Sequence, residues 1–168
     1  IPSNIQNVLQ KERDFLEPEE AKAAVFYSIS NCQKGLTGIS FGNFLIKQVA
    51  TDLSYEFKNL KNFVTLSPIP GFRKWIRNKY PKLDEKIEKI KKLDQLSKIK
   101  YDLLKCLGEY FFKSERSDKM PNDPVARFHL GNGASLEQIN FLGDVSSNGI
   151  ELSGGLMVNY LYDLEKVE

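Results

Sequence analysis

A chain of 168 residues, 41% hydrophobic and 27% charged, fits one globular domain, and no uninterrupted apolar run in it approaches membrane-spanning length. Its 24 basic and 22 acidic residues nearly cancel to +2, which argues against a polycationic surface for nucleic acid. One histidine and two cysteines, Cys32 and Cys106, without CxxC spacing argue against a zinc-finger-type site and suit a reducing compartment.

Ile1-Pro2-Ser3 carries neither an initiator Met nor a signal-peptide pattern, so the start reads as a fragment boundary. Residues 3–12 predict a short helix with Ser3 as its N-cap, and Glu17-Pro18-Glu19-Glu20 a polar break. Residues 23–30 (AAVFYSIS) are rich in β-branched and aromatic side chains and predict a strand. It is apolar on both faces near its start, which suits a buried parallel strand. A glycine-punctuated loop over 31–39 leads into a long helix over 41–58. In that helix Phe41, Leu45, Val49, Leu53 and Phe57 recur every fourth residue and predict one apolar stripe. Residues 62–67 (NFVTLS) predict a second strand. The intervening helix has crossover length, so the two strands should be parallel, with a right-handed connection.

Residues 71–80 predict a helix ending near Pro81. Residues 82–100 are lysine-rich, with Ile87, Ile90, Leu93, Leu96 and Ile99 at threefold spacing. Acids interleave with the lysines, so a solvated helix face explains the charge better than a basic binding patch. Residues 101–113 continue as an apolar helix, and 114–122 form a linker. Asp123 suits an N-cap and Pro124 the first helical position, which predicts a helix over 123–130. Strands are expected over 136–142 and 156–164, with a turn-rich segment over 144–155.

Three places could carry chemistry. The loop with Gly35, Gly38 and Gly42 allows close backbone approach, and the helix after it offers free N–H groups and a positive dipole end. Pyrophosphate would suit it. The spacing fits neither GxxxxGK[ST] nor GxGxxG, and a tight turn without a ligand explains it equally well. Ser67 closes an apolar run. Pro68 keeps it extended, and Pro70-Gly71 bends the chain toward a helix, which puts Ser67 where parallel strands end. The competing role is a helix cap. His129 is the only histidine and the only side chain with an unperturbed pKa near neutrality. It is expected near a helix C-terminus, which would favour its protonated form. A satisfied structural histidine is the plainer explanation. Cys32 could accept an acyl group, but a reduced loop thiol suffices. Tyr160 and Tyr162 lie two apart in one strand and share a face, where packing alone would account for them.

Several runs together resemble malonyl-CoA decarboxylases. They are Phe26-Tyr27-Ser28-Ile29-Ser30, Gly35-Leu36-Thr37-Gly38 leading into Gly42-Asn43-Phe44-Leu45-Ile46-Lys47, and Leu66-Ser67-Pro68-Ile69-Pro70-Gly71-Phe72. Asn122-Asp123-Pro124-Val125-Ala126-Arg127-Phe128-His129-Leu130, Asn132-Gly133-Ala134 and Gly155-Leu156-Met157-Val158-Asn159-Tyr160-Leu161-Tyr162 follow in family order. The SPIPGF and FHLxNGA runs are the most distinctive.

The resemblance implies an α/β (α+β) domain with an N-acetyltransferase-like mixed sheet and flanking helices. In that fold CoA enters between two splayed parallel strands, and its pyrophosphate lies on the loop before the long helix. It implies conversion of malonyl-CoA to acetyl-CoA and CO2 with no metal or organic cofactor. Catalytic roles carry over to Ser67 and His129, and further polar active-site positions to Ser28 and Tyr162. Ser67 would hold the malonyl carboxylate or relay a proton, and His129 would protonate the α-carbon, or the reverse. CoA contact carries over to Gly35, Leu36, Thr37, Gly38, Ile39, Ser40, Phe41 and Gly42. Some family members have an acidic residue in place of Ser40, and the loop departs from the acetyltransferase signature at Gly35. Family chains carry an N-terminal helical domain and early strands before the position of Ile1. Residues 1–168 therefore read as a CoA-binding catalytic domain with an incomplete sheet, and 82–113 as a helical insertion within it. Malonyl-CoA is the expected partner, with no nucleic acid and no membrane. Oligomers would form through the N-terminal domain. The last residues lack a peroxisomal SKL address, which leaves the cytoplasm as the default compartment, with mitochondrial or peroxisomal targeting open if signals lie outside the chain. A CoA-dependent acyltransferase of the same fold and a non-catalytic CoA-binding domain are the alternatives.

Overall fold

Strand β5 (Met157–Tyr162) is the spine of the sheet. Val158, Tyr160 and Tyr162 enter the main core, while Met157 joins a smaller cluster with Ile5 and Leu66, as the alternating faces of a strand require. Along one edge β5 pairs antiparallel with β2 (Asn62–Thr65) and then with β3 (Ser67–Pro68). Along the other it pairs antiparallel with β4 (Ser135–Asn140). β1 (Ala23–Phe26) pairs parallel with β2, as expected for strands joined through a helix, and among the described residues the mixed sheet has five strands. The computed structural model describes residues 1–12, 16–27, 41–113 and 116–165, less the side chains of residues 41–43. β1 is half-buried at all four positions and, among the described residues, lies at the end of the strand order, less covered than its apolar start suggests.

β2 and β3 share one register on β5. Phe63 faces Tyr162 and Val64 faces Leu161, and Ser67 faces Val158 and Pro68 faces Met157. The ladder is interrupted between them, at Thr65 and Leu66. Side chains fill the gap: Thr65 Oγ1 accepts from the Tyr160 N–H at 3.0 Å, and Asn159 Nδ2 donates to the Thr65 carbonyl at 2.7 Å. The Leu66 N–H turns instead to the Phe26 carbonyl of β1 at 3.0 Å.

Helix α1 (Ile5–Leu9) is capped by Asn4, not Ser3; the Asn4 side chain accepts from the Asn7 N–H. It anchors to the far end of the fold through Ile5 N–H to Gly143 O at 2.8 Å and Asn4 Nδ2 to Leu142 O at 2.7 Å. Helix α2 (Phe41–Glu56) forms as predicted, but the every-fourth-residue stripe is not its buried face. Leu45 is 59% exposed and Val49 39%, whereas Ile46 and Ala50 are buried and Leu53 and Phe57 pack on the core. A helix turns about 100° per residue, so that row drifts about 40° per step and about 160° from Phe41 to Phe57. It cannot stay on one face.

Helices α3 (Phe72–Lys79), α4 (Pro81–Glu88), α5 (Leu93–Ser97) and α6 (Lys100–Phe112) cover the main core. The lysine-rich stretch is thus helical, and Ile87, Leu96, Ile99, Leu103 and Leu107 are buried in the same core as the sheet residues. Arg73 clamps α3 to its neighbours. Its guanidinium is buried and meets Asp84 of α4 at 2.8 Å and Glu151 at 2.9 Å. Glu151 lies in helix α8 (Ser147–Ser153), within the segment expected to be turn-rich. Ser146 caps α8 by accepting from the Gly149 N–H at 3.0 Å, and Gly154 closes it at φ +62°. The cap signals are in the sequence, but a helix of seven residues holds too few apolar positions to show a period.

Candidate active site

Asp123 and Pro124 start helix α7 (Pro124–Gly131) as predicted. Asp123 Oδ1 accepts from the Val125 and Ala126 N–H groups, each at 2.9 Å. The Gly71 N–H, at the proline–glycine bend after β3, also faces this carboxylate. Burial pushes the Asp123 carboxyl above its ordinary pKa, and these three N–H groups work against the shift. Arg127 fixes the approach to the helix by donating to the carbonyls of Pro121 and Asn122, at 2.9 and 2.6 Å.

This frame puts His129, in the last turn of α7, against the interrupted stretch of the sheet. Its ring is 3% exposed and stacks on Tyr160, with centroids 4.7 Å apart and an interplanar angle of 24°. Nε2 lies 3.2 Å from Ser67 Oγ, and Nδ1 lies 2.8 Å from the Tyr162 hydroxyl. Ser67 donates to Thr65 Oγ1 at 2.9 Å. Residues 62 and 33 positions apart in sequence are therefore joined in one buried hydrogen-bonded chain: Tyr162, His129, Ser67, Thr65. Of the sequence-predicted catalytic residues, Ser67, His129 and Tyr162 come together. Ser28 and residues 35–40 lie outside the described residues. Phe41 and Gly42 open α2, in keeping with a loop that leads into a helix N-terminus.

Burial holds the His129 pKa down to about 4, outweighing the helix C-terminus that was expected to favour its charged form. The imidazole is neutral at pH 7. The Tyr162 hydroxyl is pushed up to about 12 by burial, with the Asn132 side chain pulling the other way. Each member of the chain is thus neutral near pH 7, and each can both give and take a proton.

Thr65 and Asn159 were not singled out from sequence, and Tyr160 was read there only as a packing residue. Thr65 is fully buried and shares a sheet face with Ser67, which the two-residue period of a strand could have shown. Tyr160 supplies the stacking surface for the imidazole. Asn159 is fully buried on the opposite face, donates to Pro2 O at 3.1 Å as well as to Thr65 O, and accepts from Asn140 Nδ2 at 2.6 Å. A cleft of about 470 Å³ between α3–α4 and α6, lined in part by Tyr80, Leu83, Cys106 and Glu109, shares no residue with the His129 site.

The mixed sheet and its flanking helices define an N-acetyltransferase-like fold. The loading GNATL domain of CurA from Lyngbya majuscula superposes with a TM-score of 0.54 at 15% identity, over 88% of this chain and 57% of that one. The family is set by closer likenesses. The model of the malonyl-CoA decarboxylase C-terminal domain matches residues 1–168. The crystal structure of malonyl-CoA decarboxylase from Rhodopseudomonas palustris matches with a TM-score of 0.89 and 44% identity, over 99% of this chain and 42% of that one. The enzyme of that name from Agrobacterium vitis gives 0.88 and 47%, over 99% and 45%. Mitochondrial malonyl-CoA decarboxylase of Rattus norvegicus is 37% identical over 99% of this chain and 41% of its own length. The chain belongs to the malonyl-CoA decarboxylase family. It spans about two fifths of the length of the curated relatives it matches.

Proposed function

We propose that this domain decarboxylates malonyl-CoA to acetyl-CoA and CO2. The observation that carries the reading is the buried chain in which His129 bridges Ser67 and Tyr162. Loss of CO2 leaves the electron pair of the broken Cα–carboxylate bond in a thioester enolate, which must be held and then protonated at carbon. A well-placed hydrogen-bond donor to such an oxyanion is worth roughly 2.7–4 kcal/mol. An imidazole held neutral down to about pH 4 cannot supply an imidazolium proton at pH 7. The proton therefore comes from the Ser67 hydroxyl. Nε2–H reloads Ser67, Tyr162 reloads Nδ1 and solvent returns the proton to Tyr162, after which the imidazole proton passes back from Nδ1 to Nε2 to reset the site for the next turnover. One proton is consumed per turnover.

Ser28 and residues 35–42 complete the proposal as the polar neighbour of the malonyl group and the CoA pyrophosphate loop, in keeping with the family resemblance. No metal or organic cofactor takes part in the steps above. A place in fatty acid metabolism follows from the substrate, and a cytoplasmic setting and self-association through an N-terminal domain belong to the same proposal. Among the described residues, no helix is long and apolar enough to cross a membrane. The test is incubation with malonyl-CoA, reading CO2 and acetyl-CoA with and without an added amine. Stoichiometric CO2 and acetyl-CoA, indifferent to the amine, is the expected result. Acetylated amine would assign the fold to acyl transfer, and neither product to binding alone.

A further inference from the structure

One end of the Arg73 guanidinium has no use among the described residues. The side chain is 4% exposed. Nε donates to Asp84 at 2.8 Å and Nη1 to Glu151 at 2.9 Å, but Nη2 is buried with no hydrogen-bond partner among the described residues. The Glu88 carboxylate stops short of it at 3.7 Å, beyond hydrogen-bond reach. A buried N–H on a charged group is costly to leave unpaired, so an orphan of this kind points to an absent partner. Glu88 is a loose cover for it. Its side chain is 58% exposed, and Arg77 Nη2 at 3.8 Å gives it a second cation to turn to.

Arg73 also lines a cleft of about 430 Å³ between α4–α5 and α8, a volume in the range of small-molecule sites. Aliphatic side chains make much of its wall: buried Ile87 and Leu96, with Ile90, Leu93 and Ile150 beside them. Lys91 and Lys92 stand on the same cleft. Around the guanidinium, Arg73, Arg77, Lys91 and Lys92 face Asp84, Glu88 and Glu151, four cations against three carboxylates. One positive charge is left over. A neutral apolar ligand would leave Nη2 unpaired, and a polyanion would meet three carboxylates for one surplus charge. A single carboxylate satisfies both conditions, and the planar N–H fork of a guanidinium matches its geometry.

We infer that this cleft is a binding site for a small monocarboxylate with an apolar tail. The carboxylate accepts from Arg73 Nη2 in the place Glu88 gives up, and the tail lies against Ile87, Ile90, Leu96 and Ile150. The cleft shares no residue with the His129 chain, so the inference goes beyond the decarboxylase reading and does not depend on it.

The probe is octanoate, with 1-octanol lacking the charge and acetate lacking the tail. Each is titrated into the full chain at pH 7 by calorimetry, and Tm is measured on the same mixtures. The expected result is saturable single-site binding of octanoate with a Kd of roughly 1 mM or below, the scale for a ligand of about ten heavy atoms, and a Tm that rises with its concentration. Octanol and acetate should bind about tenfold more weakly or worse, each lacking one of the two contacts. Replacing Arg73 itself would break the clamp between three helices, so the variants change its surroundings. Glu88→Gln removes the competing carboxylate and should tighten octanoate about fivefold. Leu93→Glu sets a carboxylate on the cleft wall at a position 44% exposed, and should weaken octanoate about tenfold with little change in the Tm of the free protein. No binding of octanoate, or equal binding of octanol, overturns the inference. Octanoate binding that neither variant alters overturns it too, because the ligand then sits elsewhere on the domain.

Discussion

Acid should destabilise this domain through one side chain. His129 has a pKa of about 4 in the folded state against 6.5 when exposed, because burial disfavours the imidazolium. The unfolded chain therefore takes up a proton as pH falls through 6.5, while the folded one refuses it until about 4. Stability is present in full above the unfolded pKa and is lost progressively across that window. One pKa unit corresponds to about 1.36 kcal/mol, so the whole shift is worth about 3 kcal/mol, of which about 2 kcal/mol is lost between pH 7 and pH 5. For a domain of this size that lowers Tm by roughly 4–8 °C. Other groups titrate at lower pH or in the opposite sense. Asp84 and Asp144 are held below the usual carboxylate range by their hydrogen bonds and lose stability in stronger acid, whereas buried Asp123 is raised and gains it. Subtracting the profile of His129→Asn cancels them. The assay is thermal melting of both proteins at half-unit steps from pH 7.5 to 4.5. If both lose the same stability from pH 7 to pH 5, the imidazole titrates normally and the buried neutral site described above is wrong.

Ser67→Ala is expected to lower malonyl-CoA turnover by about 10²–10⁴-fold, the range for a group in proton transfer, with acetyl-CoA affinity and Tm little changed; a large fall in Tm with normal turnover per folded molecule would make Ser67 structural. Asp123→Ala removes both N-cap hydrogen bonds and the acceptor facing Gly71, so it should cost about 1–2 kcal/mol in urea melts and loosen His129 with it; an unchanged midpoint would show that Pro124 alone starts α7. CoA should raise Tm by more than a pantetheine thioester does, because the loop before α2 is assigned the pyrophosphate; equal stabilisation by the two ligands would take that loop out of the site.

Much of this was legible because the informative residues obey local rules. Pro124 and Asp123 specify a helix start whatever surrounds them, and Pro68 keeps Ser67 extended. Tyr160 and Tyr162 must share a face because a strand repeats every second residue. What stayed hidden depends on partners distant in sequence. Arg73 lies in a helix that also carries Lys74, Arg77 and Lys79, yet it is buried, because Asp84 and Glu151 meet it from two other helices. The α2 stripe failed since a spacing of four is not the period of a helix. Thr65 escaped notice because its hydroxyl matters only where the ladder to Tyr160 is interrupted, and no sequence pattern marks a missing backbone hydrogen bond. The direction of the His129 shift was misjudged for a related reason: the helix end is local and readable, while the burial that overrides it is set by Tyr160, Phe128 and the sheet.

That reversal suits the proposed chemistry. An imidazolium at His129 would form a charge-assisted bond to a malonyl carboxylate, and such bonds are stronger than neutral ones. It would then stabilise the charge that has to leave as CO2, and binding the ground state more tightly than the transition state does not speed the chemical step. A neutral imidazole avoids that penalty. It also keeps a proton in reserve that moves only when the carbanion draws on Ser67, since the thioester enolate is the stronger base. Burial by Tyr160 and the sheet is thus more than packing. It lowers the imidazole pKa, removes water that would screen the developing charge, and in the proposed reaction leaves Ser67, His129 and Tyr162 to pass one proton along a chain in which no member carries charge at rest.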